Sequence, residues 1–171
     1  WGRLAYEPSL PNTHFQHILG ARFPQVSASD LFAGWASVSK ILPLMTRFYW
    51  GSLDFMWNPE ACWSNTGFAT VQNLIDPKYR PMTAAEDGQS PRLMSVRAFV
   101  DGEAPGGRLT PLAVADLLAR HADAGLQSVA RLSPGTNKEL RHTLGDIRAM
   151  AWLGRYYAEK IRGAVNLYRY Q

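Results

Sequence analysis

One apolar seam constrains this chain more than any other feature. Leu140, Leu144, Ile147, Ala151, Gly154, Ala158, Ile161, Val165 and Tyr168 recur at intervals of three and four. That spacing matches the 3.6-residue helical turn and predicts one long helix over 138–169 with a single buried side. Ala151, Gly154 and Ala158 are small where bulk is expected, so another helix approaches closely there. Just upstream, Thr110-Pro111 gives a hydroxyl N-cap followed by proline at the first helical position. The apolar face Val114, Leu117, Leu118, His121, Leu126, Val129 and Leu132 carries that helix to about residue 132. Ser133-Pro134-Gly135 ends it, and Thr136 or Asn137 caps the next. So short a connection predicts an antiparallel helix pair.

The earlier half reads as shorter helices. Residues 1–11 form an extended arm with Pro8 and Pro11, Asn12 caps a helix over 13–22, and Pro24 stops it. Ser27 or Ser29 caps a longer run whose buried face is Leu31, Trp35, Val38, Leu42, Met45 and Tyr49. Pro43 falls inside that run and predicts a kink or break near 39–43. Thr66-Gly67 reads as a turn, 69–75 as a short helix, and 76–92 as the segment with least apolar periodicity. Met94 to Val100 is a short helix closed by Asp101-Gly102, and 103–108 is a loop. No stretch alternates as strands do. The expected fold is all-α: an irregular helical bundle ending in the long antiparallel pair, with an aromatic-rich loop segment. The domain division is an arm and short helix over 1–26, a junction to an upstream domain, and a helical domain over 27–171.

That aromatic-rich segment, Phe48 to Trp63, holds three Trp, two Phe and one Tyr with Asp54 and Glu60 among them. A sugar ring offers an apolar C–H face and a rim of hydroxyls, so its site needs aromatic plates and polar acceptors. Trp50, Trp57 and Trp63 supply plates; Asp54, Asn58 and Glu60 supply acceptors. Six Trp in 171 residues also need burial, and a core plug between helices is the competing reading. Asp54 and Glu60 would serve as a glycosidase acid and base only at a separation of about 5–9 Å. Capping or a polar rim is the simpler role.

A second constellation is the arginine series Arg141, Arg148, Arg155, Arg162 and Arg169, spaced by seven along one side of the last helix. It reads as a solvated face, with Glu159 within ion-pairing reach of Arg155 and Arg162. The sharper alternative is an interface, since the planar guanidinium suits carboxylates across a contact.

Composition sets the outer bounds. Apolar content of 46% and charged content of 19% belong to an ordinary globular chain. Net charge is +4, without the basic run or motif that nucleic-acid binding calls for. No apolar run nears the roughly 20 residues of a membrane span. The single cysteine, Cys62, excludes an internal disulfide and a cysteine metal cluster, and reads as a small buried hydrophobe. His14, His17, His121 and His142 have no convincing metal-ligand spacing, so neither metal nor cofactor is expected. Lacking a Met before Trp1-Gly2-Arg3, the chain is expected to be a processed or excised piece of a longer one.

Three stretches carry a family resemblance. Trp1-Gly2-Arg3-Leu4-Ala5-Tyr6-Glu7-Pro8 resembles the segment through which the barrel of α-glucuronidase-like glycoside hydrolases enters a C-terminal helical domain. Phe48 to Trp63 resembles the Trp-rich segment of such domains. Leu144 to Ala151 and Tyr156 to Ile161 are similar to their terminal helix. The resemblance implies a non-catalytic C-terminal region, an upstream (β/α)₈ barrel carrying the catalytic carboxylates, a contribution to the carbohydrate cleft, and homodimer formation. No family catalytic residue has a matching position here. Two rival readings are an independent helical interaction module with its Trp residues buried, and a small complete enzyme using Asp54 and Glu60.

Overall fold

The computed structural model describes residues 7, 9–50, 54–76 and 92–171. Residues 1–6 of the expected arm, Gly51–Leu53 of the aromatic stretch and most of the 76–92 segment lie outside the described residues. The chain is largely helical, with one small hairpin. The helices are α1 (Asn12–Arg22), α2 (Ala28–Val38), α3 (Ile41–Tyr49), α4 (Val71–Ile75), α5 (Val96–Val100), α6 (Pro111–Val129) and α7 (Lys138–Tyr170). The hairpin pairs β1 (Trp63–Ser64) with β2 (Gly67–Phe68).

Local chemistry sets most of the boundaries. Ser27 Oγ accepts the amide of Asp30 (3.3 Å) and starts α2. Thr110 Oγ1 accepts that of Ala113 (3.2 Å) ahead of Pro111. Asn137 Oδ1 accepts that of Leu140 (2.9 Å) to open α7. Each cap satisfies an amide that has no partner within its helix. Asn12 does not cap α1: Pro11 holds the N-cap position, and Asn12 is the first helical residue.

The break expected near Pro43 falls at Ser39 and Lys40, and α3 restarts at Ile41. Pro43 is therefore third in its helix, where its missing N–H costs no hydrogen bond. Restarting shifts the buried face. Ile41, Met45, Phe48 and Tyr49 point inward on α3, while Leu42 is only half-buried. On α2, Gly34 rather than Trp35 lies on the buried face with Leu31 and Val38, and Trp35 is exposed. The reason is close approach: a Cβ on Gly34 would stand 2.9 Å from Val129 Cγ1 of α6.

α7 is the spine of the core. Every member of its seam from Leu140 to Val165 is buried, and Tyr168 is half-buried. Asp123 and Asp116 of α6 meet Arg155 and Arg162 of α7. α2 lies against α6, and α4 and α5 lie against α7. Leu93 and Leu109 are joined by a parallel bridge, with Met94 N donating to Leu109 O and Leu109 N to Arg92 O (both 2.8 Å). This bridge ties the start of α5 to the start of α6. No described helix is long and apolar enough to cross a membrane.

Candidate functional site

The aromatic segment folds as two successive turns. Asn58 and Trp63 exchange backbone hydrogen bonds (2.8 and 3.0 Å) around the loop 59–62, and Asn58 Oδ1 accepts the Ala61 amide (3.1 Å). The β1–β2 hairpin follows directly. Asp54 is 4% exposed. Its Oδ1 accepts from Asn65 N (2.9 Å) and Met56 N (3.3 Å), which staples the segment to the hairpin turn.

Several of the sequence-nominated sugar contacts are thus engaged within the fold. Trp50 Nε1 donates to the Asp54 carbonyl, and Trp57 Nε1 donates to Thr46 Oγ1 (3.3 Å). The half-buried Trp57 ring lies 4.7 Å from that of Tyr49. Glu60 and Trp63 are exposed, and Asn58, though exposed, spends its side-chain oxygen on its own turn. The segment is mainly a wall built on α3, with Trp63 as its free plate.

The arginine series is also partly committed. Arg155 places Nε and Nη2 on Asp123 Oδ1 (2.9 and 2.6 Å), and Arg162 contacts both Asp116 (2.8 Å) and Glu159. Arg169 lies over the Phe99 ring, Arg141 reaches the Gly135 carbonyl (3.4 Å), and Arg148 is exposed.

An open aromatic groove lies on the surface shared by α6, α7 and the hairpin. Its larger hollow, about 530 Å³, is lined by Ala119 and Asp123 of α6 and by Trp152, Arg155, Tyr156 and Glu159 of α7. Arg155 covers the Trp152 ring at 4.8 Å, a cation–π contact that fixes both side chains. A second hollow of about 410 Å³ holds Phe68, Thr70, Val71 and Lys160 and shares Tyr156 and Glu159 with the first. Trp152, Phe68 and Tyr156 are 58%, 53% and 41% exposed. Sequence reading missed this groove. Trp152 and Tyr156 stand four apart and fall outside the inner seam, which was the available signal.

Beneath the second hollow lies Lys160, 7% exposed. Its Nζ donates to the Ala69 carbonyl, to Tyr156 Oη (2.8 Å) and to Cys62 Sγ (2.9 Å). It also stands 4.6 Å from the Phe68 ring centre and 5.1 Å from that of Tyr156. Lysine is almost never buried unless paired. The sequence hint was that its helical neighbours at three and four positions are Tyr156, Tyr157, Gly163 and Ala164, with no acid among them. Among the described residues no group of His, Cys, Asp or Glu is placed to hold a metal.

Burial also raises the phenol pKa of Tyr49, Tyr156 and Tyr157 above the ordinary 10.0. Desolvation is the main cause in each case, because the phenolate is the form that loses hydration. The unfolded chain releases these protons first. Stability is therefore full below about pH 10 and falls as pH rises through the folded-state values. Tyrosinate absorbance should rise in two steps, the later one coinciding with unfolding. A single step near the ordinary value, with the fold intact, would contradict this.

In comparisons with protein-family models, curated proteins and solved structures, nothing matches the chain.

Proposed function

We propose that this chain is the non-catalytic helical region of a multidomain glycoside hydrolase, lending an aromatic edge to the carbohydrate cleft of an upstream catalytic barrel. The observation that carries the reading is the groove. Trp152, Tyr156 and Phe68 offer exposed aromatic rings, each with a cation over one face, while Asp123, Arg155 and Glu159 offer hydrogen-bonding groups beside them. Flat apolar plates with a polar rim suit the two kinds of surface on a sugar ring. The site therefore shifts from the Phe48–Trp63 segment, where only the Trp63 plate stays free, to the outer side of α7.

α6 and α7 are an antiparallel pair, since Asp123 meets Arg155 while the earlier Asp116 meets the later Arg162. The exposed tip residues Phe55 and Met56 are the apolar surface that packing on the barrel would cover. A homodimer face along the arginine series has weaker support, because Arg155 and Arg162 already neutralise acids of the same chain.

Calorimetric titration with neutral and glucuronic-acid-bearing oligosaccharides tests the proposal. Saturable binding is expected, and Trp152→Ala should weaken it roughly ten-fold, about 1.4 kcal/mol. Trp152 is exposed, so the melting temperature should hardly change. Absence of saturable binding to every oligosaccharide, or unchanged affinity in Trp152→Ala, would sink the carbohydrate reading. Phe55 and Met56, at 84% and 58% exposure, would then favour the rival reading, an independent protein-interaction module without carbohydrate chemistry.

A further inference from the structure

Lys160 and Cys62 form a buried pair that carbohydrate contact does not require. An ammonium has three protons, and here they go to a carbonyl, a phenol oxygen and a thiol sulfur. The Nζ–Sγ distance of 2.9 Å equals that of an ordinary nitrogen–oxygen hydrogen bond, although sulfur is the larger atom. The backbone presses the same way. Cys62 has φ +53°, a left-handed conformation that glycine or asparagine adopts at lower cost. The turn over 59–62 thus holds a strained non-glycine residue whose sulfur meets an amine 98 positions later. Lys160 lines the 410 Å³ hollow, so small solutes reach the amine side of the pair.

We propose that Cys62 and Lys160 are an oxidative cross-linking site, converted by hydrogen peroxide into a nitrogen–sulfur bond between the turn and α7. The thiolate form of Cys62, the nucleophile of thiol chemistry, attacks one peroxide oxygen. An S–O bond forms, the O–O bond breaks, and the departing hydroxide takes a proton to become water. Sulfur loses two electrons and the peroxide gains them, leaving a sulfenic acid. Such an acid condenses with a nearby nitrogen to a sulfenamide. Lys160, having given up its ammonium proton, attacks the sulfenic sulfur through its free amine. The N–S bond forms, the S–O bond breaks, and the leaving hydroxide takes the proton shed by nitrogen to give a second water. The cross-linked chain is lighter than the thiol–amine chain by two hydrogens, and an added thiol reductant reverses the change.

The test is mass spectrometry of the intact chain after exposure to dilute hydrogen peroxide. A loss of two hydrogens is expected, with one joined peptide spanning Cys62 and Lys160 and full recovery on adding dithiothreitol. Cys62→Ser should abolish the loss. Lys160→Arg, which keeps the charge but not the nucleophilic amine, should instead accumulate oxygen adducts on Cys62. Stepwise oxygen addition with Lys160 unmodified would overturn the proposal, as would a chain-to-chain disulfide or no reaction. The unaltered chain alone decides among these outcomes, so the proposal stays testable if either variant fails to fold.

Discussion

Replacing Tyr157 with alanine should lower the free energy of unfolding by about 3–5 kcal/mol, the range for deleting a large aromatic side chain from a core. Tyr157 is fully buried and heads the largest such side chains among the described residues. Its ring lies edge-on to that of Tyr156 with centres 5.2 Å apart, and its hydroxyl donates to the Pro59 carbonyl. One side chain therefore joins α7 to the turn that carries Cys62. Truncation removes apolar burial, opens a cavity and leaves that carbonyl with only the Cys62 amide, at 3.2 Å. Tyr157→Phe isolates the last effect and should cost about 0.5–1.5 kcal/mol. Denaturant titration of the three proteins separates the terms. If Tyr157→Ala falls within about 1 kcal/mol of the parent, the turn is not anchored through this residue.

Gly154→Leu should destabilise by about 1–3 kcal/mol through overpacking. A Cβ alone would stand 2.7 Å from Ile41 Cδ1, 3.2 Å from Ile41 Cγ1 and 3.3 Å from Ala122 Cβ. The Ile41 methyl could give way to one carbon, but three further carbons have nowhere to go between α3 and α6. Replacing glycine inside a helix gains up to about 1 kcal/mol of backbone propensity, which offsets only part of this cost. Gly145 gives the control. Nothing lies within 4 Å of a Cβ there, so Gly145→Ala should hold or raise the melting temperature. Unchanged melting of Gly154→Leu would show that the seam is not tightly packed.

The two substitutions mark how unevenly the fold was legible. Gly154 could be read as a point of close approach from its small neighbours alone, because helical periodicity fixes which residues share a face. Its partners could not be named, since they come from α3 and α6, far away in sequence. The α3 face was misread at Leu42 for a related reason: the break at Ser39 and Lys40 restarts the helical phase, and Ile41 takes the inward position. The spacing of three and four puts Trp35 on the buried face with Leu31 and Val38, yet the close contact of Gly34 with Val129 turns Trp35 outward.

The candidate site was less legible still. The Phe48–Trp63 segment stands out because its aromatics are adjacent in sequence, but Trp50 bonds the Asp54 carbonyl, Trp57 bonds Thr46 of α3, and Asp54 accepts from the hairpin turn. The groove combines residues from α6, α7 and the hairpin, and no local pattern announces such a juxtaposition. The missed hairpin has the same origin. Strands of two residues are too short to show alternation, and Asp54 stabilises their turn from 11 positions upstream.

By itself, the sequence determined that the chain is largely helical and which residues cap the two long helices, because periodicity and caps act within a few residues. It also marked the inner seam of α7 and the small residues within it. Only the tertiary structure decided which aromatics stay exposed, which acids meet the arginine series, and that Lys160 lies buried against Cys62. Those outcomes depend on contacts between segments tens of residues apart, where close packing and the need to satisfy buried polar groups override local preference.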